Sequence, residues 1–241
     1  MASKEEVVDN GIQERHIRKF GEESECIMMT SEQIITDLKL HAHTQAIEGM
    51  ARFGIRPAQA LGVSIPTLRK MAKEIGRNHA LALALWDSGI HEARILASMI
   101  DEPTLVSAQH MEEWVNDFDA WDVCDQVCGN LFDKTPYAYQ KAVQWCQQEQ
   151  EFVRRAGFVM MAELAVHDKQ APDEACMQFF PLIKLYADDE RNFVKKAVNW
   201  VLRQIGKRNG PLRTLALQCA SEIQDMDSKT ARWVAKDALK E

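Results

Sequence analysis

Residues 192–210 read NFVKKAVNWVLRQIGKRNG, and a rotation of roughly 100° per residue sorts them into two opposed stripes. Val194, Val198, Val201 and Ile205 fall on one side, while Lys196, Trp200, Arg203 and Lys207 stack along the other. This is an amphipathic helix with an apolar face to bury and a cationic face to present. A tryptophan among three cations, off the apolar stripe, marks a surface suited to a polyanion.

Outward from this stretch, nearly every segment reads with the same helical period, and strand-like alternation is absent. Thr30 with Gln33 forms a capping box ahead of IITDLKLHAHTQAIEGMARF, closed by Gly54. Pro66 stands in the first turn of IPTLRKMAKEI, stopped by Gly76; Thr135-Pro136, Pro172 and Pro211 open further helices. Helix pairs at 104–116/119–132, 136–148/151–167, 173–187/190–207 and 211–223/227–239 recur every 35 to 40 residues. That period predicts an all-α helical-repeat solenoid whose concave face is a binding surface. Residues 1–28 read as a charged arm, flexible or loosely attached, and 29–241 as a single repeat domain.

The 241 residues, 46% of them hydrophobic, suffice for a sizeable core. The net charge of -7 argues against nucleic acid, but its distribution does not. Residues 1–50 hold ten acids and five bases, whereas 191–213 hold seven bases and no acid. An acidic chain can carry a basic face, and counterion release acts locally. Cys26, Cys124, Cys128, Cys146, Cys176 and Cys219 form no CxxC pair and read as free buried thiols in a reducing cytoplasm. His41 and His43, two residues apart, point in different directions on a helix, so no metal is expected there. No apolar run reaches membrane-spanning length and no signal core is present, which predicts a soluble, cytoplasmic protein.

In FDAWDVCDQVC, Trp121 and Asp125 lie four residues apart, roughly 40° around a helix. In EFVRRAGFVMMAEL, Arg155 lies at the edge of the stripe Phe152, Ala156, Val159 and Met160. Taken singly, such residues are rim packing and surface charge. They fall, however, in successive repeat units, which stacking brings side by side.

Together with ALGVSIPTLRKMAKEI, LALALWDSGIHEARILASMI and FVKKAVNWVLRQIGK, these stretches resemble the DNA alkylation repair glycosylases of the AlkD-like type, built of HEAT-like repeats, from about Thr30 to Glu241. The resemblance implies that Asp125 is the catalytic carboxylate, Trp121 and Trp200 the aromatic walls of the cleft, and Arg155 a DNA contact near the lesion. Lys196, Arg203 and Lys207 are then expected on the phosphates. The implied activity is excision of cationic alkylated purines (3-methyladenine, 7-methylguanine) from double-stranded DNA by a monomer needing neither metal nor organic cofactor. Two other readings stand beside it: a non-catalytic module for branched or damaged DNA, and a helical scaffold for a protein partner. Intact Asp125 speaks for catalysis over the first, and the acid-free block 191–213 for DNA over the second.

Overall fold

The computed structural model describes residues 29–240, which form fourteen α-helices and two short 3-10 turns with no strand among them. The arm expected at 1–28, with Cys26, lies outside the described residues. The helices are α1 (Ser31–Leu40), α2 (Thr44–Arg52), α3 (Ile65–Ile75), α4 (His79–Asp87), α5 (His91–Ile100), α6 (Ala108–Asn116) and α7 (Trp121–Asn130). They continue as α8 (Ala138–Trp145), α9 (Glu151–His167), α10 (Asp173–Met177), α11 (Phe180–Leu185), α12 (Asn192–Arg208), α13 (Gly210–Gln224) and α14 (Lys229–Ala238).

Local signals account for most of these boundaries. The Thr30–Gln33 capping box forms, with both reciprocal hydrogen bonds in place. Ser64 caps α3 ahead of Pro66, Gly76 ends it at a φ of 75°, and Asn209 caps α13 ahead of Pro211. Three expectations are corrected. The single helix expected from Ile34 to Phe53 breaks at 41–43, where His43 caps α2 and its N–H donates to the Leu61 carbonyl at 2.7 Å. A tertiary contact there overrides helical continuity. The segment 173–187 is two helices, α10 and α11, because Pro181 lacks an N–H and stands in the first turn of a new helix. The helices expected from 104 and 136 start at Ala108 and Ala138; Ser107 caps the first, and the Thr135 hydroxyl donates back to Phe132, closing the preceding turn.

Helices α5, α7, α9, α12 and α14 pack in series as one layer, with α4 on α5, α8 on α9, and α13 on α12 and α14. One continuous apolar core runs through them from Ile34 to Ala238, including the stripe Val194, Val198, Val201 and Ile205. Trp86 and Trp114 stack within it at 3.9 Å. Each fully buried aliphatic or aromatic side chain contributes about 1.5–3 kcal/mol. The five cysteines among the described residues are free and buried, as expected. Gly157 lets α9 pass against the end of α8, since a Cβ there would lie 2.6 Å from the Cys146 Cα.

Polar ties link equivalent places in neighbouring units. His91 meets Asp122 31 residues on, Trp145 donates to Glu112 33 residues back, Arg154 pairs with Asp189 at a separation of 35, and Asn199 reaches the Val234 carbonyl, also 35 away. These separations repeat the sequence period in space, as a stack of similar units requires.

Candidate nucleic-acid interface

Helix α7 begins at Trp121, so the indole stands in a first turn that no side chain caps. Its Nε1–H donates to the Phe53 carbonyl at 3.1 Å, tying the end of α2 to the start of α7. Gly54, at a φ of 79°, carries the chain under Phe193 at the start of α12; a Cβ there would sit 2.7 Å from the Phe193 ring. The α2–α3 connection thereby reaches across both α7 and α12. The resulting cleft, about 470 Å³, is lined by Arg52, Phe53, Trp121, Arg155, Phe193 and Lys196. Phe53 is 70% exposed at its rim.

Asp125, one turn after Trp121, faces a second cleft of about 530 Å³ with Arg69, Arg77, Lys134, Glu163 and His167. Arg155 of α9 joins the two clefts. Its Nε and Nη2 donate to the two oxygens of Asp125 at 2.9 and 2.8 Å, Nη1 donates to the Phe193 carbonyl, and the guanidinium lies 5.7 Å from the Trp121 ring centroid. Burial lifts the Asp125 carboxyl above its ordinary value against the pull of Arg155. Burial also works against the charge on Arg155, but Asp125 more than offsets it and holds the guanidinium above its ordinary pKa. A two-pronged grip needs both carboxylate oxygens as acceptors, so the pair is ionic.

The structure thus brings Trp121, Asp125, Arg155 and Lys196 together. Arg155 was expected to contact DNA. It is only 6% exposed, and these three nitrogens donate to Asp125 and Phe193 at the wall of the first cleft. Trp200 is half-buried against the core and lines neither cleft. Arg203 and Lys207 continue the same stripe of α12 but line another groove, with Arg213 and Ala216 of α13. Sequence reasoning missed Arg52, Phe53, Arg69, Arg77 and Lys134, all exposed around the two clefts. They come from separate elements, and no helical stripe groups them.

The other cleft groups shape its electrostatics. Burial, aided by Asp133 and Asp125 and opposed by His167 and Lys134, pushes the Glu163 carboxyl up to about 7. Asp133 is held between Lys134 Nζ at 2.7 Å and His167 Nδ1 at 2.5 Å. No helix among the described residues is long and apolar enough to cross a membrane.

The family model described as DNA alkylation repair enzyme matches residues 34–241. The chain is 22% identical over 201 residues to the uncharacterized protein Lin0241 of Listeria innocua serovar 6a, covering 81% of this chain and 87% of that one. Its fold is similar, at a TM-score of 0.74 and 18% identity, to a solved structure from "a new family of proteins related to the HEAT-like repeat DNA glycosylases with affinity for branched DNA structures". That match covers 87% of this chain and 94% of the other. The fold is the HEAT-like helical repeat.

Proposed function

Since the chain belongs to the DNA alkylation repair enzyme family, we propose that it is a DNA glycosylase that removes cationic alkylated purines from double-stranded DNA. The observation that carries this reading is the Asp125 carboxylate, held by Arg155 one turn from Trp121 and open to a cleft rimmed by Arg69, Arg77 and Lys134. A purine alkylated at N3 or N7 bears a positive charge, so its bond to C1′ is already weak and the base leaves neutral. As that bond breaks, the sugar becomes oxocarbenium-like. Asp125 stabilises the developing positive charge, and water then adds at C1′ with loss of a proton, leaving an abasic site. A leaving group that needs no protonation makes this chemistry feasible without metal or organic cofactor. Trp121 holds the cationic nucleotide by ring-face attraction of about 0.5–2 kcal/mol per contact, Trp200 adds a second ring from the cationic stripe of α12 outside the two clefts, and Lys196, Arg203 and Lys207 hold phosphates. The reading includes a monomer acting in the cytoplasm.

A second reading, a non-catalytic binder of branched or damaged DNA, is favoured by the stated affinity of the structural neighbour and by the engagement of both Asp125 oxygens with Arg155. Base release from methylated and from uracil-containing duplexes separates the two. Release of 3-methyladenine and 7-methylguanine with uracil left in place is expected, because a neutral base leaves only as a poor anion and none of Trp121, Asp125, Arg155 and Trp200 is placed as a strong general acid for it. Tight duplex binding without any base release establishes the second reading, and efficient uracil release points to different chemistry.

A further inference from the structure

At the C-terminal end of α5 lies a cluster that the proposed reaction does not use. Asp101, the C-cap of α5, is fully buried. Its Oδ1 accepts from the Glu102 N–H at 2.7 Å and lies 2.6 Å from Nδ1 of His79, at the start of α4. Its Oδ2 has no hydrogen-bond partner among the described residues. Nε2 of His110, on α6, also lacks a partner, and the two atoms sit 3.8 Å apart, too far for a hydrogen bond. His110 is only 8% exposed, and its ring stands edge-on to Trp114 at 4.4 Å. Burying two such atoms unsatisfied is costly, and native structures rarely do so without a reason.

We propose that His79, Asp101 and His110 bind one divalent cation of the zinc class, which clasps the starts of α4 and α6 to the end of α5. One ligand atom from each residue falls within a set whose members all lie within 4.8 Å of one another. Tetrahedral bonds of about 2.1 Å put neighbouring ligands about 3.4 Å apart, so ligand atoms within 4.8 Å of one another need to close by no more than about 1.4 Å. Two imidazoles and a carboxylate suit zinc, and His79, 25% exposed at its side chain, leaves a fourth position open to water. Among the described residues the other grouping of this kind, Asp133, Glu163 and His167, already has a cation in place, because Lys134 Nζ lies 2.7 Å from Asp133. In the sequence the three proposed ligands are 22 and 9 residues apart, a spacing no metal motif announces.

The test is a zinc titration of the chelator-stripped full chain against a chromophoric competitor. One zinc per chain is expected. His79→Ala should weaken it by more than about 100-fold, since even losing an outer-shell partner costs up to about that much, while His167→Ala leaves it unchanged. Cobalt substitution of the unmutated chain guards against variants that fail to fold. Four-coordinate visible bands without thiolate charge transfer are expected. Absence of competition, equal affinity in His79→Ala, loss in His167→Ala, or a thiolate band would each overturn the proposal.

Discussion

Arg155 grips Asp125 through both carboxylate oxygens, at 2.9 and 2.8 Å, across 30 residues of sequence and the α7–α9 packing interface. The most buried charge of the candidate interface and its candidate catalytic group are one unit. Variants at either end should therefore separate chemistry from folding.

Asp125→Asn retains the shape and removes the charge. Single-turnover excision should fall by about 10²–10³, the scale of losing one electrostatic stabiliser, with duplex affinity nearly unchanged. Arg155→Ala should instead strand a buried carboxylate and cost about 3 kcal/mol or more in stability. Excision at the unmutated rate by a folded Asp125→Asn removes this residue from the mechanism, and an unaltered denaturation midpoint for Arg155→Ala removes the support role.

Lys196, Arg203 and Lys207 share one stripe of α12 but line two separate clefts. If duplex DNA tracks the whole helix, alanine at each should lower the slope of log K against log salt by about one unit, whatever the sequence. A change confined to Lys196 would restrict the DNA to the Trp121 side. Trp200→Ala should keep the slope and lose discrimination between methylated and undamaged duplex. Strong destabilisation of that variant, about 3–5 kcal/mol, would show Trp200 to be core instead.

Glu163 sets a pH dependence of stability. Its folded pKa of about 7 lies above an unfolded value near 4.5, so the native state binds the proton more tightly. Stability from this group is therefore intact at low pH, declines as pH rises from about 4.5 to 7, and is fully lost above that, by about 3 kcal/mol. Glu163→Gln carries no such dependence. Its stability relative to the parent should climb from near zero at pH 4.5 towards that figure at pH 8, measured by urea denaturation. A difference that stays flat with pH would contradict it.

At Gly157 a methyl group would meet the Cys146 backbone, which cannot swing aside as a long side chain can. Gly157→Ala should destabilise by about 1–3 kcal/mol despite its better helix propensity. A stabilised variant would mean that α8 and α9 can separate without cost.

Periodicity revealed the helices wherever each is an independent amphipathic unit: the stripe Val194, Val198, Val201 and Ile205 is buried as read, and Thr30, Pro66 and Gly76 punctuate as their chemistry dictates. Reading failed where another part of the chain decided. His41–His43 carries no local breaker, and the break is fixed by the carbonyl of Leu61. At 173–187 the break does carry a local signal, the missing N–H of Pro181. For the site, four-residue spacing placed Trp121 and Asp125 together, but a partner 30 residues away and a cleft assembled from four helices leave no trace in local spacing. Local spacing therefore placed Arg155 only at the edge of an apolar stripe, with no sign that it is 6% exposed or that it pairs with Asp125.

The buried cysteines bear on self-protection. An electrophile that methylates purine nitrogens also attacks sulfur, and it is the thiolate that reacts. Burial pushes the Cys146 and Cys219 thiols up to about 12, and raises Cys128 well above the ordinary value and Cys176 above it. These thiols are thus both sealed from reagent and held in their unreactive, protonated form. A chain working amid alkylating agents would offer little reactive thiol from its folded repeats.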